Sequence, residues 1–487
     1  MRGRWIVLLV VGLVGAFTPA ASATLESVLG ADCPTVAAPP LSFADRVYVD
    51  RARAGGEPVS IVAQNGSISV SAHAGTTHVY KDPGAAGGAG DFGVGYFNQT
   101  LNWRSADGGK TWKYVGLVGA EAGPHSATST GFSDPDYTMD AAGRIYNTEI
   151  DLANVSVFSS DDDGQSYNIA NPVAASGDRP WITAAEKDEI YLYVNTLKQL
   201  WRSTNGGLTW EFITLSVPVD GKLMVDPRNP KDGLIGPIGG FFRAPMEGVA
   251  ISADNGETWT QHRDIDLTPG QQFFGVMAVD KTGTVYAASA GGYSGPGDTS
   301  PNGFVEFTYF DRDTKTWSEA TQIPTPAGDA MWPWVTAGDD GRAAVVWLQT
   351  LAGKPKEFYI YAAVTHNARG SVVQCADGTS RTVPASWSVV NASKTPVHIG
   401  DICVAGTNCN LSTGDPGDRR LGDFITSNFD KDGNLFIVSG DTRLTSLAGG
   451  KKPVANPIFI KADPGAQLLA QPMPVRSTRC LLNVPVC

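Results

Sequence analysis

The sequence predicts an all-β fold, a β-propeller of seven blades that are each a four-stranded antiparallel sheet, with six blades as the alternative. An eight-residue turn pattern recurs four times along the chain. The 56 glycines and 31 prolines among 487 residues are typical of many short strands joined by tight turns. Beyond the N-terminus, no long stretch has apolar residues at helical spacing.

The recurring pattern is Ser-x-Asp/Asn-x-Gly-x-Thr/Ser-aromatic. Asp or Asn hydrogen bonds back to nearby amides, Gly allows a positive φ, and the Thr and the aromatic residue resume an extended strand. The copies occupy residues 105–112, 160–167, 203–210 and 252–259. They lie 43 to 55 residues apart, a spacing typical of repeat architectures. We expect each copy to be a hairpin tip whose aromatic residue enters the core.

This octamer resembles the Asp-box, or BNR repeat, of the sialidase superfamily and related β-propellers. The resemblance covers roughly residues 58 to 440 and implies a propeller fold, which sialidases build from six blades. It implies that the box residues are structural and lie away from the active site. These residues are Asp107, Trp112, Asp162, Asn205, Trp210, Asp254 and Trp259.

The N-terminus has the layout of a secretory signal peptide. Arg2 and Arg4 precede an apolar run over residues 5–17, and Ala21-Ser22-Ala23 offers a small-residue cleavage site. We expect residues 1–23 to be removed, giving a secreted protein without a membrane anchor. The formal charge of −12 argues against nucleic acid and anionic membranes as partners, because both attract clustered Lys and Arg.

The remaining chain divides into an arm, a ring and a tail. Residues 24–57 form a Pro- and Ala-rich arm that could finish or cap the ring, residues 58–470 form the propeller, and residues 471–487 form a C-terminal tail. Each blade opens with an apolar strand and a hairpin turn rich in Asp and Gly. The opening hairpins begin near Val59, Phe132, Gly177, Leu223, Phe274, Trp332 and Gly422.

Six cysteines in an exported chain favour disulfides over free thiols. Local closure of Cys403 with Cys409 and of Cys480 with Cys487 would leave Cys33 with Cys375, one of fifteen possible pairings. No Cys/His spacing resembles a zinc site, so we expect no metal or other cofactor apart from a possible structural Ca²⁺. The Asp-rich turns at 161–163 and 430–433 could hold Ca²⁺, but turn capping is the favoured interpretation.

Polar residues stand where the first strand of several blades begins. In a propeller these positions converge on one mouth of the central channel, which is the default ligand site. Carboxylates, guanidinium groups and aromatic rings together suit a carbohydrate, although each residue could instead be a turn cap, an ion-pair partner or a wedge between blades. The candidates are Asp134, Asp136, Asp178, Arg179, Trp181, Asp329, Trp332, Trp334, Asp418, Arg419, Arg420 and Asp423.

The sialidase resemblance implies a Tyr nucleophile paired with Glu, an Asp acid/base and three substrate-binding arginines. The sequence departs from that pattern, since the nearest match to the Phe/Tyr-Arg-Ile-Pro motif, at 242–245, stands out of order before the fourth box. We assign the role of general acid to Asp136 or Asp178. Tyr137 or Glu149 is assigned to the nucleophile side of the site. The substrate-binding residues are Arg179, Trp181, Trp332, Arg419, Arg420 and Asp423, with Arg179 and Arg420 as the clamps.

The leading hypothesis is a secreted, monomeric, sialidase-like glycoside hydrolase that acts on an extracellular glycan. One alternative is a non-catalytic propeller that binds polysaccharide or a protein partner through the same mouth, because fold alone does not decide function. Another is a polysaccharide lyase, for which His125 is the histidine near a candidate mouth loop.

Overall fold

The computed structural model describes most of the chain between residues 33 and 475. The described ranges are 33–51, 53, 55–73, 79–80, 91–92, 100–115, 133–150, 155–173, 175–298, 302–406, 417–444, 447–448, 452–453 and 455–475. The predicted signal peptide, His125, Cys409, Cys480 and Cys487 lie outside these residues. The described residues form two compact units, one that contains residues 33–36 and 370–383 and one that contains the others.

The larger unit is a β-propeller, and the predicted count of seven blades is confirmed. Every blade is a meander of four antiparallel strands, and two of the seven blades have one extra short strand. The strands of the first four blades, first to fourth, are Gly56–Val62, Ile68–His73, Thr100–Ser105 and Lys113–Val115 in blade 1; Ser133–Met139, Ile145–Ile150, Val155–Ser160 and Asn168–Val173 in blade 2; Pro180–Ala184, Ile190–Val194, Gln199–Ser203 and Glu211–Thr214 in blade 3; and Met224–Val225, Leu234–Gly239, Met246–Ser252 and Thr260–His262 in blade 4.

The last three blades follow the same order. Their strands are Met277–Val279, Val285–Gly291, Phe304–Asp311 and Thr316–Trp317 in blade 5, with Thr321–Gln322 added to its third strand; Ala330–Ala337, Ala343–Leu351, Lys354–Thr365 and Ser388–Asn391 in blade 6, with His398–Ile399 added to its third strand; and Thr426–Phe429, Leu435–Asp441, Asn456–Lys461 and Val47–Tyr48 in blade 7. Short strand pairs join Val79–Tyr80 to Asp91–Phe92 and Leu447–Ala448 to Lys452–Pro453.

The outermost strand of blade 7 comes from the start of the chain. Val47 pairs with Phe459 and Tyr48 with Ile458, in antiparallel register. The two ends of the chain therefore share one sheet, which closes the ring and joins its first and last blades. Closure of this kind leaves few free strand edges.

Second strands are buried along all or nearly all of their length. All residues of Ile145–Ile150, Ile190–Val194 and Val285–Gly291 are buried. A blade packs against a neighbour on each face, so a continuous apolar run is favoured there over simple alternation. Among the residues that the structure describes, no helix is long and apolar enough to cross a membrane.

The four octamers adopt one hydrogen-bonded turn. In each, the Ser Oγ accepts the amide of the Gly four residues later, at 2.8 to 2.9 Å. The Asp carboxylate accepts the hydroxyl of Thr111, Ser166 or Thr258, whereas the Asn205 side-chain amide donates to Thr209. Tyr167 is buried and the three Trp rings are half-buried, so the aromatic residues anchor the turns as expected.

The smaller unit contains a hairpin and a disulfide. Ser371–Gln374 pairs with Ser380–Val383, and Cys375 at the hairpin turn is bonded to Cys33. The predicted Cys33–Cys375 bridge is therefore confirmed. Cys403, in the larger unit, is also disulfide-bonded, and its partner lies outside the described residues.

Candidate functional site

Four blades begin their first strand with a buried residue directly before proline. These dipeptides are Glu57-Pro58, Asp134-Pro135, Arg179-Pro180 and Trp332-Pro333, and their first residues have φ values of 47°, 58°, 58° and 52°. A positive φ in a non-glycine residue is uncommon and stores roughly 1–3 kcal/mol of strain. The surrounding fold therefore imposes this conformation at equivalent points of four blades, where it fixes the direction of each side chain.

Glu57 is the centre of a buried charged cluster. Its Oε2 lies 3.3 Å from Nε2 of His73 and 3.9 Å from Nη1 of Arg179, and its Oε1 lies 3.8 Å from Nη2 of Arg419. Each of the four side chains is at most 3% exposed. Arg419 also forms an ion pair with Asp423. We call Glu57, His73, Asp134, Asp178, Arg179, Arg419 and Asp423 the axial cluster.

The Asp134 carboxylate connects blade 2 to blade 3. Its Oδ2 accepts the backbone amide of Arg179 at 3.0 Å. Asp178, the residue before Arg179, is exposed at the rim of the cluster. The neighbouring Asp134 carboxylate raises the pKa of Asp178 to about 8. This shift favours the protonated form of Asp178.

Opposite charges and burial act differently on the other two carboxyls of the cluster. Burial opposes ionisation of Glu57, but His73, Arg419 and Arg179 outweigh it and hold its pKa at about 2. Burial raises the pKa of Asp423 to about 6, although Arg419 opposes that rise. The cluster is thus a place where the charged state of each acid depends on its immediate neighbours.

Aromatic rings form a layer next to the cluster. The guanidinium carbon of Arg179 lies 3.9 Å from the ring centre of Trp181 and 4.5 Å from that of Phe424. Phe274 packs edge-on against Trp181, and Trp334 stacks on Phe424 with ring centres 5.6 Å apart. Cation–π contacts in a desolvated position stabilise Arg179 where it is.

Beyond this layer, the first strands line a cavity of about 230 Å³. Its wall includes Asp136 and Lys222, which form an ion pair, together with Trp334. Asp136 is 1% exposed and also accepts the amide of Ile182 at 3.0 Å. Asp136 therefore lies two residues after Asp134 in the same strand, and its two carboxylate oxygens contact Lys222 and the amide of Ile182.

The structure brings together only part of the predicted site. Asp178, Arg179, Trp181, Arg419 and Asp423 come together in or beside the axial cluster. Other candidates have separate local partners. Tyr137 is hydrogen-bonded to Asn102 and Tyr167, and Glu149 is buried in the second strand of blade 2. Arg420 binds Asp418 at 2.8 Å, and Trp332 packs on Phe273. Asp329 accepts the amide of Asn302, and Arg243 donates to the carbonyl of Val404.

Three residues of the site were not anticipated: Glu57, His73 and Lys222. Glu57 stands in the same pre-proline position as Asp134 and Arg179, so alignment on the prolines is a signal that could have found it. His73 is placed by strand pairing, because it lies opposite Gly56 in the register of blade 1. Lys222 precedes its strand in an irregular segment and carries no such signal.

Comparison with known proteins gives one partial relative. No protein-family model matches the sequence. A sialidase of Micromonospora viridifaciens is 32% identical over 123 residues, which are 25% of this chain. The match spans 15% of that relative's length.

Solved structures align over most of the chain with low identity. YCF48 bound to D1 peptide has 12% identity and a TM-score of 0.44, covering 89% of this chain and 97% of that one. The intramolecular trans-sialidase from Ruminococcus gnavus, in complex with oseltamivir carboxylate, has 14% identity and a TM-score of 0.36, covering 84% and 96%. In sequence, then, this propeller resembles a sialidase over part of its length.

Proposed function

We propose that this protein is a secreted, sialidase-like propeller that acts on an extracellular glycan at the axial cluster. The observation that carries the proposal is the convergence of charged side chains from blades 1, 2, 3 and 7 on the propeller axis, next to aromatic rings. The partial identity to a bacterial sialidase supports the same class of substrate. Ligand sites of propellers are expected at such a mouth.

Arg179 and Arg419 are the residues that we assign to an acidic substituent of the glycan. Within the described part of the chain, Nε and Nη1 of Arg179 make no hydrogen bond, and Glu57 lies beyond hydrogen-bond distance from both guanidinium groups. A carboxylate would supply the bidentate contacts that a guanidinium prefers. Asp178, exposed at the rim beside Asp134, is the carboxyl that an entering glycan meets first, and we assign it as the acid.

Incubation of the purified protein with a panel of fluorogenic glycosides, including acidic sugars, tests this assignment. We expect turnover of an acidic glycoside and a loss of about 10²–10⁴-fold in Asp178→Asn, as for a general acid. Glu186→Gln, an exposed carboxyl in a turn of the same blade, is the control and should keep full activity. An equal loss in both variants, or unchanged turnover in Asp178→Asn, would reject Asp178 as the acid.

Binding without turnover is the second candidate, and the surroundings of Tyr137 favour it. The hydroxyl of this tyrosine is bonded to Asn102 and Tyr167, so it lacks the glutamate partner that the sialidase resemblance implies for a nucleophile. A tyrosine–glutamate pair, which the sialidase resemblance implies, does occur as the 2.9 Å hydrogen bond from Tyr191 to Glu189. It lies at the start of the second strand of blade 3, outside the cluster. If no glycoside is cleaved, retention on immobilised acidic polysaccharide that weakens in Arg179→Lys supports this function.

A further inference from the structure

We propose that Glu57, His73 and Asp134 form a binding site for one divalent transition-metal ion such as Zn²⁺ or Mn²⁺. One potential ligand atom from each residue lies within 4.8 Å of the other two, and all three residues are buried. An imidazole nitrogen with carboxylate oxygens is a donor set that these ions accept. No residue spacing in the sequence indicates this site, because its ligands come from three separate strands.

The spacing of the donor atoms fits a shared ion. Nε2 of His73 and Oε2 of Glu57 are 3.3 Å apart. Two ligands on a tetrahedral ion, each bonded at about 2.0–2.1 Å, lie roughly 3.4 Å apart. The separation of His73 and Glu57 therefore matches that of two neighbouring ligands on one ion.

The ligands stand on rigid parts of the fold. Glu57 belongs to the first strand of blade 1, His73 ends its second strand, and Asp134 belongs to the first strand of blade 2. Asp134 is also held by the amide of Arg179 at 3.0 Å through Oδ2. That contact is the hydrogen bond to a ligating carboxylate that orients many metal ligands.

The two arginines approach Glu57 without forming hydrogen bonds to it. Nη1 of Arg179 and Nη2 of Arg419 approach Glu57 at 3.9 and 3.8 Å, beyond hydrogen-bond distance. They neutralise the carboxylate at a distance and do not take the lone pairs that face His73. The inference concerns metal uptake and is independent of whether a glycan is bound or cleaved.

The experiment measures metal content. The intact protein is stripped with a chelator, dialysed against Zn²⁺ or Mn²⁺, and analysed by mass spectrometry of the metal and by titration calorimetry. We expect one ion per chain, an increase in Tm on loading, and affinity at least about 100-fold weaker in His73→Gln and in Asp134→Asn, since loss of even an outer-shell partner weakens binding 10–100-fold.

The control is His398→Gln, another fully buried histidine, which should still bind one ion. If His73→Gln does not fold, Asp134→Asn, which preserves side-chain shape, carries the test. The proposal is overturned if the wild type binds no ion, if both ligand variants keep it, or if His398→Gln loses it equally. Because metal content is measured, none of these results depends on glycoside turnover.

Discussion

The guanidinium of Arg179 lies 3.9 Å from the ring centre of Trp181, two residues farther along the chain. Arg179 directly precedes the strand that contains Trp181, and its left-handed backbone, with a φ of 58°, accompanies this contact between neighbouring side chains. Phe424 contacts the same guanidinium from blade 7, at 4.5 Å. A charged group is therefore part of the packing that joins blades 3 and 7.

Replacing Arg179 should destabilise the propeller. We expect Arg179→Ala to lower the free energy of unfolding by about 3–5 kcal/mol, because Glu57 loses a buried counter-charge and the aromatic rings lose their packing partner. Urea denaturation measures the change. Arg263→Ala, which removes a half-exposed ion pair with Glu247, should cost less than about 1 kcal/mol. Equal losses would show that Arg179 contributes no more than a surface arginine.

The Asp136–Lys222 pair permits a double-mutant test. Lys222→Met should cost about 3–5 kcal/mol, because the Asp136 side chain is only 2% exposed and would be left without its cation. Asp136→Asn combined with Lys222→Met should recover much of that loss, because no buried charge then remains unpaired. Additive losses in the double variant, measured by denaturant unfolding, would mean that the two side chains act independently.

The blades were predictable because their signals are local. Each turn pattern, such as residues 105–112, specifies its own hairpin without help from distant residues. The site depends on distant contacts. Glu57 was assigned to the N-terminal arm, and the structure places it in the first strand of blade 1 at the axis. Arg419 and Arg420 are adjacent, and only the fold shows that Arg419 faces Glu57 while Arg420 binds Asp418.

The third octamer predicts how well the repeated turn tolerates a change. Asn205 occupies the Asp position there and still accepts the amide of Thr209 at 2.9 Å. Asp254→Asn should therefore cost less than about 1 kcal/mol, whereas Asp254→Ala should cost about 1–2 kcal/mol by leaving the amide and hydroxyl of Thr258 without an acceptor. Thermal unfolding of the two variants measures the difference. Equal losses in both would indicate that the side-chain oxygen is not used.

The same turns should make the propeller sensitive to acid. Hydrogen bonds from Thr111, Ser105 and Lys110 outweigh burial and lower the pKa of Asp107 from 3.8 to about 2, and similar contacts lower the pKa of Asp162 and Asp254. A carboxyl whose folded pKa is depressed contributes stability above its unfolded pKa and loses it as pH falls through the folded value. Tm should therefore decrease from about pH 4 to pH 2. The double variant Asp107→Asn with Asp254→Asn should show a smaller decrease in Tm, because two of the titrating acceptors are gone. Parallel plots of Tm against pH for the wild type and the variant would assign the acid sensitivity to other groups.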